Sequence, residues 1–246
     1  MAIDFNATTT KITPTFAAHA VQRTYSIWAY REGAGEGDFG RMFDKRTSGV
    51  EVELLYADQL AGKYLYGRVW NVAPGEWSFP DPPLNEWHNV TVTYDATVDT
   101  NDPLMYLDGV SQTVTEEEIP DGTATNDTAG EYVIGNRGAQ SRTWDGGLCE
   151  FAIWDAILTP GEVAALGKGF SPLFFPTSLT FYAPLVRNLF DYMGTGTLTG
   201  VDTAVRDHPR IIYPSAGGMR RFTTAAGAAT LVKDLIQAGI LAFPRS

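Results

Sequence analysis

From Trp87 to Asp95 the chain alternates strictly: Val90, Val92 and Tyr94 on one side, Thr91 and Thr93 on the other. A period of two predicts a strand with one apolar and one hydroxylated face. Leu104–Leu107 reads as a second strand. Asp108-Gly109 is a hairpin signal, because a two-residue primed turn needs positive φ at both positions. A third strand is expected to return through Val110, Gln112 and Val114.

The same reading extends along the chain. Ala2 to Phe5 is a short alternating strand, and Lys11-Ile12 starts another. Thr24 to Tyr30 is apolar on both faces and predicts a strand central to a sandwich. Val50 to Tyr56 alternates apolar and acidic residues, and Tyr64 to Trp70 follows it. Pro74 to Pro83 is expected to cross the surface as an irregular segment, since proline disrupts a central strand. Leu148, Glu150, Ala152 and Trp154 alternate with Cys149, Phe151 and Ile153. Thr159-Pro160-Gly161-Glu162 predicts a helix start with a capping box and proline in the first turn, ending at Gly167 or Gly169.

Taken in order, "Trp-His-x-Val-x-Val-x-Tyr-Asp", "Leu-x-Tyr-Leu-Asp-Gly", Val133-Ile134-Gly135, Trp144 to Trp154 and Ala156-x-Leu158-Thr159-Pro160-x-Glu162-Val163 resemble one family. It is the laminin-G-like, concanavalin A-type lectin/glucanase superfamily, which includes pentraxins. The resemblance covers about residues 1–168. It implies an all-β fold, an antiparallel jelly-roll sandwich with one short helix after it. Leu179 to Leu185 and the continuation through Asp191 to Gly200 resemble the strands that open such a domain. They imply a circularly permuted order, in which 178–207 stands in for the missing first strands; packing of 178–207 outside the sandwich is the alternative. The expected organisation is a sandwich over 1–207 and a separate piece over 208–246.

That last piece begins as an extended, proline-punctuated link, Asp207 to Pro214. A helix is expected from Thr223 or Thr224 to about Ala238, with Leu231, Val232, Leu235, Ile236 and Ile240 along one stripe and Phe243 beyond it. This stripe either docks on the chain's own sandwich or, with Arg220 and Arg221, forms an attachment arm that buries it on another subunit, a second copy of the chain included.

Composition adds limits. The chain has 246 residues, 44% of them hydrophobic and 12% aromatic, enough for a large core. No apolar run approaches the ~18 residues of a membrane span. The N-terminus lacks a secretory pattern, and Cys149 is the sole cysteine, so no intrachain disulfide forms and a core role is expected for it. These features favour manufacture in a reducing cytoplasm. The net charge of −11 argues against nucleic acid as a partner. It is uneven: no Lys or Arg lies between Arg68 and Arg137, a span holding thirteen acids, whereas the chain after Gly167 carries eight basic residues against four acidic ones.

The chemistry is sparse. His19, His88 and His208 are isolated, and no nucleophile motif or phosphate loop is present, so no enzyme is expected. Calcium is a possible cofactor. It needs six to eight oxygens, which Asp95, Asp99, Asn101 and Asp102 on one loop and Asp121, Asn126 and Asp127 on another offer; in laminin-G-like relatives calcium sits where such loops meet. Trp70 and Trp77, with Trp87 nearby, are candidate stacking platforms for sugar faces. The run from Phe170 through Leu185 to Ile212 resembles the ends of laminin-G-like proteins of tailed phages. It implies a non-enzymatic virion surface subunit, a capsid decoration or tail-associated protein made in the host cytoplasm, whose partners are other virion subunits. A carbohydrate-binding adhesion module, acting outside the cell on surface glycans and calcium-dependent in one form, is the alternative.

Overall fold

The computed structural model describes residues 1–214 apart from 7, 16–20, 48–49, 59, 125–130, 187–188 and 202–203. In chain order the strands are β1 (Ala2–Asn6), β2 (Lys11–Pro14), β3 (Gln22–Arg31), β4 (Arg41–Thr47), β5 (Val50–Asp58), β6 (Lys63–Arg68), β7 (Gly75–Pro80) and β8 (Trp87–Asp95). They continue with β9 (Leu104–Leu107), β10 (Val110–Ser111), β11 (Thr115–Glu118), β12 (Glu131–Ile134) and β13 (Asp145–Trp154). The helix α1 (Pro160–Gly167) follows, then β14 (Leu179–Ala183), β15 (Leu198–Val201) and β16 (Ala204–Arg206).

These strands form two antiparallel sheets. The first runs β10-β9-β8-β3-β13-β1-β16, and the second runs β11-β7-β6-β5-β4-β12-β2-β15. Their inner faces close over one aromatic core. Tyr25, Phe43, Tyr66, Trp77, Tyr94, Tyr132, Phe151 and Phe181 are buried there, with ring centroids such as Tyr25–Phe43 at 4.7 Å and Trp77–Tyr94 at 5.0 Å. Val90, Val92 and Tyr94 supply the inner face of β8, as their alternation requires.

The hydroxylated face of β8 is buried as well, because α1 packs on that side of the sheet. Asn89 Nδ2 and Thr91 Oγ1 each donate to Ser26 Oγ at 3.0 Å, so these polar side chains are paired where water is excluded. The Leu158 amide donates to Thr24 Oγ1 and anchors the approach to α1. Thr159 caps α1 by accepting from the Glu162 amide, and the Glu162 carboxylate accepts from the Thr159 amide. Leu158, Val163 and Leu166 then join Tyr106, Trp154, Leu179, Tyr182 and Tyr192 in a second apolar cluster on this outer face.

Two expectations are corrected. The proline-rich stretch contains a paired strand, β7, between β6 and β11, with Trp77 and Phe79 turned inward. Its prolines stand at the end of the strand and outside it, where no ladder donor is lost. The hairpin turn forms, with φ of 51° at Asp108 and 77° at Gly109, but the returning strand β10 lasts only two residues. The chain then crosses to pair Thr115–Glu118 with β7 in the other sheet.

Strands β14, β15 and β16 all pair within the two sheets. β14 pairs with Phe151–Trp154 of β13, and β1 pairs with Asp145–Leu148 along the same edge, so the two lie end to end. The Ile3 amide donates to the Leu185 carbonyl at 2.9 Å where they meet. β15 borders β2 in the second sheet, and β16 borders β1 in the first, with Arg206 directly opposite Ala2.

Candidate functional site

The open end of the first sheet's outer face gathers aromatic and charged side chains. Tyr30 of β3 stands opposite Trp87 of β8, with ring centroids 5.5 Å apart, and both remain partly exposed. Trp28, two residues before Tyr30, shares its face and is also partly exposed. Across β3 the register brings Gly147 of β13 beside Tyr30, and beyond it Asp4 of β1. Gly147 leaves room that a side chain would fill: a Cβ there would stand 2.7 Å from the Trp87 indole and 2.4 Å from the Arg206 stem.

Arg206 completes the group. Its guanidinium lies 4.2 Å from the Tyr30 ring centroid, and it bridges Glu32 at 2.6 Å and Asp4 at 3.2 Å. Nη1 of Arg206 is buried and finds no hydrogen-bond partner among the described residues. Asp145, at the start of β13, adds a third carboxylate. Burial, and then the charges of Glu32 and Asp4, push its carboxyl above the usual range. Burial raises Asp4 too, with Arg206 working against the rise and Glu32 adding to it.

A raised carboxyl means that ionisation is disfavoured in the folded state, so each charge weakens the fold at neutral pH. Asp145→Asn is therefore expected to raise Tm at pH 7. The gain should shrink as pH falls through the folded carboxyl's range and vanish below the ordinary carboxylate value of 3.8. Thermal melts at pH 7 and pH 3 check this, and a variant less stable than the parent at pH 7 would refute it.

The residues expected to form a site are placed elsewhere. Trp70 and Trp77 are core residues, 3% and 0% exposed, and are corrected as stacking platforms. Trp77 sits on the inward face of β7, and its Nε1 donates to Asp102 at 2.8 Å. Trp70 joins the same core, just after β6. Alternation along β7 carries the reason: Trp77 and Phe79 share a face, and burying so large an apolar area favours the inside.

The acidic residues expected to bind calcium face protein donors. Asp95 accepts from Thr97 and Gln22, and these hydrogen bonds hold its carboxyl below the usual range. Asp99 accepts from the Gly122 amide, Asp102 from Trp77, and Asp121 pairs through its backbone with Ala73. Among the described residues no three His, Cys, Asp or Glu side chains converge as a metal site would require. Asn126 and Asp127 lie outside the described residues, as do Arg220, Arg221, Leu231, Leu235, Ile236, Ile240 and Phe243. No helix among the described residues is long and apolar enough to cross a membrane.

Sequence reasoning missed Tyr30, Arg206, Asp4 and Glu32 as a group, since they come from three separate stretches. The usable signal was the aromatic pair Trp28 and Tyr30 at i, i+2.

Two facing antiparallel sheets with one short helix define a lectin-like β-sandwich. The family model described as Concanavalin A-like lectin/glucanases superfamily, laminin G type 3, matches residues 6–164, and the chain belongs to this superfamily. Among solved structures, a candidate carbohydrate-binding protein from Bacteroides ovatus is 17% identical with a TM-score of 0.61, over 86% of this chain and 61% of that one. The chain thus spans about six-tenths of that relative's length. The heptameric SAP-like pentraxin of Limulus polyphemus is 18% identical with a TM-score of 0.46, over 66% of this chain and 83% of that one. Domains LG4-5 of the mouse laminin alpha1 chain are 12% identical with a TM-score of 0.48, over 62% of this chain and 40% of that one. No curated protein matches the sequence.

Proposed function

We propose that this protein is a non-enzymatic glycan-binding module that serves as a surface attachment subunit. The observation that carries the reading is the partly exposed Tyr30–Trp87 pair flanked by Arg206, Asp4 and Glu32. A sugar ring has an apolar face that stacks on aromatic rings and a rim of hydroxyls that pair with carboxylates and guanidinium groups. The candidate carbohydrate-binding relative from Bacteroides ovatus shares the fold and so supports the reading at that level.

The setting we propose is the surface of a tailed-phage virion, as capsid decoration or tail-associated protein. Its support is the sequence of residues 170–212 and the basic, apolar stretch after His208. A calcium-dependent form of the same binding stays part of the proposal.

The test is titration with neutral hexasaccharides of gluco, manno and xylo configuration, with and without EDTA, followed by tryptophan fluorescence. Trp87→Ala is expected to weaken binding at least tenfold with only a modest loss of stability. Equal affinity in parent and variant, or no binding by the parent, refutes the site. Loss of binding in EDTA identifies the calcium-dependent form.

A further inference from the structure

Glu150 is a buried carboxylate that the site above does not use. It is 2% exposed and lies at a bulge in β13, where the register with β3 shifts and its own φ is 56°. Positive φ is unfavourable for a residue with a side chain, so something else holds it there. Its amide donates to the Pro184 carbonyl at 3.1 Å. Its carboxylate collects three partners, all from chain beyond residue 164. Tyr182 donates to Oε2 at 2.6 Å, Tyr213 donates to Oε1 at 2.8 Å, and His208 Nε2 lies 3.2 Å from Oε1.

Two of those partners belong to the segment 207–214, which follows β16 and lies across the outer face. Its remaining attachments are few. The Ile212 amide donates to the Gly169 carbonyl at 2.8 Å, and the Ser171 amide donates to the Ile212 carbonyl at 2.9 Å. Ile212 and Tyr213 are 41% and 37% exposed, and no residue of the segment is fully buried. Tyr182, by contrast, is fully buried and stacks on Tyr192 at 5.0 Å within the second apolar cluster. The carboxylate therefore faces a fixed phenol on the sandwich side and two polar groups of a lightly packed strap on the other.

We propose that Glu150 is a clasp: it docks the 207–214 strap on the sandwich, and the strap opens as a unit while the sandwich stays folded. The physical basis is the contrast in what each part would lose. Opening the strap breaks a few hydrogen bonds, whereas opening β13 or β14 exposes the aromatic core. The strap begins one residue after Arg206, whose guanidinium sits on Tyr30. Clasp closure thus positions Arg206 in the aromatic patch, a role that rests on the glycan-binding reading.

Hydrogen exchange of the full chain tests the clasp through the amides of Ile212 and Ser171. In the parent they should exchange faster than the amides of β3 and β8. Tyr213→Phe removes the strap hydroxyl that reaches Glu150 and leaves the contacts made within the sandwich itself, Tyr182 to Glu150 among them, in place. It should speed exchange at Ile212 and Ser171 about tenfold and leave β3 and β8 unchanged. Glu150→Gln should act in the same direction and more strongly. Exchange at Ile212 that matches the core in the parent, or that neither variant alters, overturns the clasp. The positioning role is read separately with the hexasaccharides: Tyr213→Phe should weaken binding severalfold, and unchanged affinity alongside faster exchange overturns that role. If the parent binds none of these sugars, the glycan reading fails while the exchange result still decides the clasp.

Discussion

A chain cut after Gly169 will not fold cooperatively. The cut removes β14, β15 and β16, which border three different strands in two sheets. It also removes Phe181, Ala183 and Leu185 from the central core and Leu179, Tyr182 and Tyr192 from the outer cluster. Fully burying a large apolar side chain contributes about 1.5–3 kcal/mol. Losing five of them removes about 7.5–15 kcal/mol, comparable with the roughly 5–15 kcal/mol by which domains are stable. The edges left on β1, β2 and β13 would expose unpaired backbone groups and favour aggregation. Circular dichroism with urea or thermal melting reads the outcome. A truncated chain with the parent's cooperative transition would show that this segment is dispensable.

Trp77→Ala should lower stability by about 3–5 kcal/mol, the range for emptying a large aromatic site in a core. The indole stacks on Tyr66 at 6.2 Å and meets Tyr94 edge-on at 5.0 Å, so both neighbours would line the cavity. It would also leave Asp102 without the Nε1 donor. Trp77→Phe keeps much of the packing and loses that bond, worth about 1 kcal/mol. Urea titration separates the two. Because Trp77 is internal, the folded fraction of either variant should bind saccharides as the parent does. A variant of parental stability with lost sugar binding would restore Trp77 as a ligand residue.

How much was legible depends on what each feature requires. Val90, Val92 and Tyr94 report a core face by alternation alone, and Thr159 with Glu162 reports a helix start by spacing alone, so both were readable. The strand β7 was obscured because its prolines sit at and beyond its end, and composition gives no hint that Trp77 and Phe79 share an inward face. The acidic loops were readable as acidic but not as occupied: Asp95 and Asp102 are engaged by Gln22, Thr97 and Trp77, partners partly distant in sequence. The aromatic patch needed the register of four strands to bring Asp4, Tyr30, Trp87 and Arg206 together. The segment expected to be permuted supplies β14, which lies end to end with β1, and β16, which sets Arg206 opposite Ala2.

That last pairing has a mechanical consequence. Ala2 and Arg206 are the outermost pair of the antiparallel ladder between β1 and β16, and the chain leaves both strands at that end. Tension applied between residue 1 and residue 207 would pull perpendicular to the ladder and load its hydrogen bonds one pair at a time. The edge of the first sheet would peel open like a zipper rather than resist in shear, starting with the pair that holds Arg206.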